Sequence, residues 1–239
     1  MIALHHAVGS PHSAAVRMVL AEKGLAYESH VLDLGAFEQH RPPFLALSPD
    51  GQVPVLEDEG ARIHETFLIL QYLDERYPAP ALGGEGVRSH YAVQKWGKYV
   101  ETHIAPSLAL VRWRALEGSV PREAGAALEA LPTPRRDLWH KAAQGFSDDE
   151  LNRARATLVK AADRLAADLR ESPWLAGGGP TIADYAVYPH VAQFAELGVA
   201  VPPEVSAWLE RMELIPSVAA DSGRRALVAT MGPEGGRWG

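Results

Sequence analysis

Two serine hydroxyls at the predicted start of the first helix could act on an anion. Ser10 is followed by Pro11, and Ser13 lies at the third helical position. The simplest role is capping, in which Ser10 accepts a backbone N–H of the first turn and Pro11 supplies a helical φ. A capping serine still has its own proton to donate, and the helix N-terminus attracts negative charge. One of the two hydroxyls could therefore stabilise a thiolate, since lowering a thiol pKa by about two requires about 2.7 kcal/mol.

A second candidate region lies at residues 51–56, where Pro54 interrupts an apolar run. Proline has no N–H to donate to a β-ladder, so it belongs at an edge or at the mouth of a strand, where the backbone of Val53 is left free. If the Val53–Pro54 bond is cis, the turn presents both polar groups of Val53 outward. Such an edge can hold an extended peptide.

Glu65 and Thr66 open an apolar-periodic stretch eleven residues after Pro54. On their own they need be no more than a favourable charge and a hydroxyl at a helix start. A helix N-terminus also attracts a carboxylate. Taken with the Val53 edge, the pair indicates a ligand that is short, peptidic and anionic.

The composition excludes several classes of function. The 239 residues carry a formal charge of −7, and the basic residues are scattered, so no nucleic-acid partner is expected. The chain has no cysteine, which excludes disulfides and a cysteine nucleophile, so any thiol must come from the ligand. The ten histidines show no metal-ligand spacing with a carboxylate, and no metal is expected. No signal peptide and no apolar run of about 18 residues appear, so we expect a cytoplasmic protein without a membrane partner.

The order of predicted elements indicates two domains. Residues 1–77 show strand, helix, strand, helix, hairpin and helix, an α/β domain with the order βαβαββα. Residues 78–88 have the composition of a linker, residues 89–230 have only helical patterns, and the tail 231–239 is expected to fray. An α/β block followed by helices predicts an α/β domain packed on an all-α domain. The predicted helices are 10–23, 37–47, 65–76, 89–116, 135–146, 148–170, 181–197 and 205–212.

Two further motifs have simple structural interpretations. Gln39 and His40 read as a solvated loop before two prolines. Thr181 and Asp184 form a variant of the capping box, in which the carboxylate reaches back to the first free amide. Neither motif requires a ligand.

In their order and spacing, these motifs resemble the glutathione transferase family over almost the whole chain. The resemblance is carried by residues 10–17, 21–28, 48–56 and 65–73, and in the helical half by 174–177 and 181–184. It implies a thioredoxin-like domain followed by an all-helical domain, with a homodimer as the usual assembly. It also implies glutathione as co-substrate and a small hydrophobic electrophile as the second substrate.

The resemblance also implies how glutathione is held. The turn at Val53 and Pro54, with Pro54 cis, would pair its backbone with the cysteinyl part as an added strand. Glu65 and Thr66 would hold the γ-glutamyl group, with threonine keeping the hydroxyl of the usual serine. The glycyl end would face the following residues of the second-helix loop and the Val-Pro turn: Gln39, His40 and Gln52.

The resemblance leaves two candidates for the residue that activates the thiol. Ser10 occupies the position of the catalytic serine in plant-type classes, whereas Ser13 matches the serine proposed in certain bacterial members, including the lignin β-etherases. No tyrosine lies near the first strand and cysteine is absent, so the tyrosine and cysteine classes are excluded. The Ser-Ser-Cys signature of maleylacetoacetate isomerases is also missing.

Three functional interpretations follow from the resemblance. The first is a transferase in which a serine-stabilised glutathione thiolate attacks an electrophile, held between the first helix and residues 89–116. An apolar wall for that electrophile is expected at Tyr99, Val100, His103 and Trp113. The second is cleavage of a β-aryl ether, because residues 37–40, 135–139 and 145–146 resemble the bacterial β-aryl-etherase branch. The third is a non-catalytic protein that uses the fold for binding alone.

Overall fold

The computed structural model describes residues 1–114, 128, 129 and 131–221. Its first part is a four-stranded sheet with three helices, in the order β1, α1, β2, α2, β3, β4, α3. The elements are β1 Ile2–His6, α1 Pro11–Glu22, β2 Tyr27–Val31, α2 Pro42–Leu45, β3 Val55–Asp58, β4 Ala61–Ile63 and α3 Thr66–Arg76. The predicted α/β arrangement is confirmed. The sequence predicts a short, proline-interrupted helix over 37–47. In the structure this region consists of a 3₁₀ turn at Glu38–His40 and the separate short helix α2, which begins at the first of two prolines.

The sheet has the strand order β2-β1-β3-β4. Strand β1 is parallel to β2 and antiparallel to β3, and β3 and β4 form the predicted hairpin. The central strands are buried, with Leu4, Val55 and Leu56 fully enclosed. Because the end of β1 is paired with the start of β3, the loop after β1 and the turn before β3 lie next to each other at one end of the sheet.

The second part is helical in the described residues. Its elements are α4 Gly86–Tyr99, a π-helical turn Val100–Ile104, α5 Ala105–Trp113, α6 Thr133–Gln144, α7 Asp148–Glu171, α8 Ile182–Val191, α9 Pro203–Glu213 and α10 Pro216–Ala219. The sequence predicts one helix over 89–116, whereas the structure begins it at Gly86 and widens it at Val100–Ile104. Pro106 explains the widening, because it has no N–H to donate to the carbonyl of Thr102. The end of the prediction at residue 116 and the tail 231–239 lie outside the described residues.

Helix α8 also ends earlier than predicted, at Val191 instead of residue 197. The amides of Gln193 and Phe194 bond to carbonyls three residues back, at 3.3 and 3.0 Å, so the chain tightens into turns. The predicted hydrogen bond from the first free amide to the carboxylate of Asp184 is confirmed, since Asp184 Oδ2 accepts both the N–H and the hydroxyl of Thr181. Asp184 therefore fixes the start of a helix that is buried along its whole length.

One continuous core joins the two parts. Helix α1 packs against α8, and buried side chains from the sheet, α3, α4, α7 and α8 belong to the same cluster. The close packing of α4 on α3 requires glycine at position 97, because a Cβ there would overlap the ring of Phe67. A smaller cluster, built on Phe37 and Trp139, packs α6 against the segment before α2. The described part of the chain contains no helix that is long and apolar enough to cross a membrane.

Candidate functional site

A cleft of about 620 Å³ separates the α/β part from α5, and we call it the outer cleft. One wall comes from the turn before β3 and the start of α3, and the opposite wall from the π-helical turn and α5. Residues on its walls include the following: His12, Gln52, Val53, Pro54, Glu65, Thr66, Glu101, Ala105, Ala109 and Trp113. Five of the predicted ligand-binding residues therefore face one space.

The turn at Val53 and Pro54 leaves a backbone edge open on this cleft. The Val53–Pro54 bond is cis, as expected for this turn. Within the described residues, the N–H and C=O of Val53 make no hydrogen bond. Gly51 positions the turn, since its φ is +61° and a Cβ there would lie 2.9 Å from the carbonyl oxygen of Gln39. Val53 thus offers one donor and one acceptor to an extended ligand.

Glu65 and Thr66 stand at the first turn of α3. Glu65 has φ +62°, an uncommon conformation for a residue with a side chain, and its carboxylate does not cap the helix. Thr66 Oγ1 lies 3.0 Å from Nδ1 of His12 on α1. The hydroxyl and the histidine are therefore coupled across the base of the cleft, while Glu65 is exposed to it.

Glu101 is a functional candidate that the sequence analysis missed. It lies in the π-helical turn and faces the outer cleft, across from Glu65. Burial and the charge of Glu65 raise the pKa of Glu101, and the backbone N–H of Phe67 acts in the opposite direction. Two carboxylates near each other favour a cationic ligand group such as an ammonium. The signal in the sequence is Pro106, which marks the irregular turn, but only the fold brings Glu101 to the cleft.

A smaller cavity of about 150 Å³ adjoins the outer cleft, and we call it the inner pocket. The two spaces share His12, Gln52, Val53, Ala105, Ala109 and Trp113. The inner pocket alone is lined by Ser10, Gln39, Arg112, Trp139 and His190, among others. It therefore joins the start of α1 to three helices of the second part.

The two serines differ in where their hydroxyls lie. Ser10 lines the inner pocket, and its oxygen accepts the N–H of Ser13 at 3.3 Å, so its own proton is available to a ligand. Ser13 is fully buried, lines neither space, and its oxygen accepts the N–H of Ala7 at 3.2 Å. The structure thus turns Ser10 towards the inner pocket and Ser13 towards the loop after β1.

Gln39 and His40 are buried, at 4 % and 1 % exposure, so the expectation of a solvated loop is wrong. The reason is tertiary, because the ring of Phe37 lies 5.1 Å and that of His40 5.6 Å from the ring of Trp139 on α6. Gln39 lines the inner pocket, whereas His40 lines neither space. Gln52 is exposed and lines both.

The predicted apolar wall is different from the observed one. Trp113 lines both spaces, but Tyr99, Val100 and His103 line neither. Val100 points into the core, and Tyr99 stacks on His103 with ring centroids 4.5 Å apart. The wall is instead made of α5 residues one and two turns further on: Ala105, Leu108, Ala109 and Leu110. The π-helical turn changes the helix phase, which the sequence pattern did not reveal.

Basic side chains gather at the inner pocket. Burial lowers the pKa of Arg112 to about 10 and, with the neighbouring His12, holds the pKa of His190 well below its ordinary value. The ring of His12 lies 4.7 Å from that of His190, edge to face. In the described residues, no group of three or more histidine or acidic side chains is arranged to hold a metal ion.

Comparison with known proteins agrees with this architecture. Residues 4–81 match the model of the glutathione S-transferase N-terminal domain, and residues 148–211 match the model of the C-terminal domain. The chain is 25 % identical to Protein LigF of a Sphingobium strain over 225 residues, covering 83 % of this chain and 84 % of that one. It is 29 % identical to glutathione S-transferase F9 of Arabidopsis thaliana, covering 76 % of this chain and 77 % of the relative. The crystal structure of the β-etherase LigF superimposes with a TM-score of 0.81 at 24 % identity, over 92 % of this chain and 98 % of that one.

Proposed function

Because this chain belongs to the glutathione S-transferase family, we propose that it is a glutathione-dependent transferase in which Ser10 stabilises the glutathione thiolate. The second substrate is a small hydrophobic electrophile. The observation that carries the proposal is the open backbone edge of Val53, which faces the same space as Glu65 and lies next to the pocket of Ser10. A tripeptide with a thiol at its centre fits that order of groups.

Three parts of the chain hold glutathione in this proposal. Val53, next to the cis bond to Pro54, binds the cysteinyl backbone as an added strand. Glu65 and Thr66 bind the γ-glutamyl group, with Glu101 near its ammonium. Gln39 and Gln52 serve the glycyl end.

His40 and Ser13 hold the backbone of residues proposed to bind glutathione and lie outside the two cavities. The His40 ring lies beneath Gly51 and packs on Trp139, so it fixes the turn that presents Val53. The Ser13 hydroxyl binds Ala7 and holds the loop between β1 and Ser10. We assign both residues a positioning role.

Bound glutathione supplies the sulfur nucleophile of the reaction. The Ser10 hydroxyl donates to that sulfur, and the N-terminus of α1 adds a favourable dipole. Positioning the two substrates between α1 and α5 supplies the remainder of the rate gain.

A second candidate activity is glutathione-dependent cleavage of a β-aryl ether. It is favoured by the relation to Protein LigF, which spans most of both chains, and by the structure of that protein, described as a β-etherase. The same thiolate would displace an aryloxide instead of a halide. A panel with one β-aryl ether and one chloronitroaromatic distinguishes the two activities, and turnover of neither leaves the substrate class open. Failure to bind glutathione, or to shift its thiol pKa, would favour a non-catalytic binding protein.

We also propose a cytoplasmic homodimer, as is usual in the family. The dimer is supported by exposed apolar side chains on α3 and α4. These are Leu68, Val87 and Tyr91, which are 54 %, 85 % and 67 % exposed. An interface between copies would cover these side chains, since contiguous exposed apolar patches mark interaction surfaces.

The decisive experiment is a pH titration of bound glutathione followed by thiolate ultraviolet absorbance. The parent should show thiolate near neutral pH, and Ser10→Ala should raise the thiol pKa by about two, as loss of one charge-assisted hydrogen bond implies. Ser10→Gly separates donation from capping, because glycine at this position costs helix α1 only a few tenths of a kcal/mol. Ser13→Ala should keep the thiolate. No thiolate in the parent, or its loss only in Ser13→Ala, would contradict the mechanism.

A further inference from the structure

The inner pocket contains the positive charge of Arg112 in a protein of negative net charge. Arg112, His12 and His190 line it. No aspartate or glutamate is among the described residues of its lining. The chain as a whole carries −7. The outer cleft differs, since Asp50, Glu65 and Glu101 lie on its walls. The two adjoining spaces therefore differ in the charge of their linings.

Arg112 is the strongest charge at this pocket and has little compensation. Within the described residues it makes one hydrogen bond, from Nη2 to the carbonyl oxygen of Gly9 at the long distance of 3.4 Å. A guanidinium has five N–H donors in a planar fork that matches a carboxylate. Burial is the only cause that lowers its pKa, which agrees with a partly dehydrated cation without an acidic partner. Such a group gains a counterion when an anionic ligand enters.

The walls beside Arg112 suit an aromatic ring. Trp113 stacks on Trp139 with ring centroids 4.7 Å apart and planes at 16°. Leu108 and Ala109 complete an apolar face on α5. The pocket measures about 150 Å³, a size at which a protein cavity can hold benzene.

Resting on the proposed function, we propose that the electrophile is an aromatic compound with an anionic group, and that Arg112 binds this group in the inner pocket. The ring then lies along Trp113, and its reactive carbon faces the sulfur beside Ser10. Arg112 determines specificity, whereas Ser10 acts on the thiol.

A chloronitrobenzoate is a suitable probe of the complete reaction. Its ring carbon forms a C–S bond with the glutathione sulfur while the C–Cl bond breaks, and chloride leaves with the electron pair. The thiol proton passes to solvent, so no oxidant or reductant is needed. The corresponding chloronitrobenzamide is neutral, similar in shape and subject to the same displacement.

Binding can be tested separately from turnover. Nitrobenzoate and nitrobenzamide lack the leaving group, and their quenching of tryptophan fluorescence reports affinity at a pocket that contains Trp113 and Trp139. S-methylglutathione at saturation occupies the glutathione site, including any group that binds the glycyl carboxylate. Arg112→Gln removes the charge, Arg112→Lys keeps it, and Arg114→Gln removes an exposed charge near the end of the same helix as the matched control.

The parent and Arg114→Gln should bind nitrobenzoate more tightly than nitrobenzamide. Arg112→Gln should weaken nitrobenzoate about 10- to 100-fold and leave nitrobenzamide nearly unchanged, as loss of a charge-assisted hydrogen bond implies. Arg112→Lys should retain part of the preference. Circular dichroism checks that each variant is folded, and the comparison of the two probes in the parent is decisive even if Arg112→Gln does not fold.

Two results would overturn the inference. One is equal affinity of the parent for the two probes. The other is a loss of S-methylglutathione affinity in Arg112→Gln with the probe preference intact, which assigns Arg112 to the glycyl carboxylate. If the anion preference is present but neither chloronitro compound gives a thioether, the anion site is supported and transfer of glutathione to these chloroaromatics is refuted; absence of thiolate in the titration of bound glutathione would refute the transferase function itself.

Discussion

Asp184 should be the side chain on which the stability of the helical part depends most. Its Oδ1 accepts the N–H of Leu175 and the indole N–H of Trp208, each at 3.0 Å, and its Oδ2 accepts two donors of Thr181 at 2.9 and 3.0 Å. The residue is fully buried. Burial raises the pKa of its carboxyl, and the four donors act against that rise.

The substitution Asp184→Asn keeps the shape but exchanges one acceptor for a donor. The amide oxygen can still serve Leu175 and Trp208, so the amide NH₂ must face the N–H of Thr181. A buried N–H without an acceptor costs about 1–3 kcal/mol, and loss of a negative charge in the first turn of α8 costs up to about 1 kcal/mol more. The free energy of unfolding should therefore fall by about 1–4 kcal/mol.

Urea unfolding, followed by circular dichroism, measures this change through the midpoint at constant slope. Asp163→Asn on α7 is the control, because Asp163 is exposed and its change should stay within about 0.5 kcal/mol. A loss below about 1 kcal/mol in Asp184→Asn, or one equal to the control, would refute the reasoning from the four hydrogen bonds.

Two more predictions concern pH and glutathione affinity. Burial first, and Arg17 next, lower the pKa of His6 from 6.5 to about 4, so between these values the unfolded chain binds a proton that the folded chain does not. The contribution of His6 to the free energy of unfolding should fall by about 3 kcal/mol as pH drops through this window, and His190, whose pKa is also lowered, adds a decrease of the same sign. His6→Gln should lessen the pH dependence by about 3 kcal/mol, whereas His90→Gln at an exposed site should leave it unchanged. Glu101→Gln should raise the KM for glutathione about 3- to 10-fold with little change in kcat, because it removes one of two carboxylates near the ammonium. Steady-state kinetics tests the latter, and an unchanged KM would remove Glu101 from the site.

Much of the fold could be predicted from short-range sequence signals such as helix caps and turns. Pro11 after a capping serine marks α1, the turn between β3 and β4 marks a hairpin, and Thr181 with Asp184 marks α8. Each is a signal within a few residues. One missed feature is the widened turn before Pro106, where the missing N–H changes the hydrogen-bond pattern inside a helix and side-chain periodicity does not report the phase change. Another is the end of α8 at Val191, after which the amides of Gln193 and Phe194 bond to carbonyls three residues back.

The sequence by itself determined the α/β-plus-helical fold and the residues that line the turn side of the cleft, since these depend on short-range patterns and their order. Only the tertiary structure decided which serine faces the inner pocket, because Ser10 and Ser13 lie on one helical turn and differ only in what packs around them. It alone also brought Glu101 and Arg112 from the helical part to opposite ends of the site. Contacts between residues about 100 positions apart, such as that of Arg112 with Gly9, leave no trace in the local pattern.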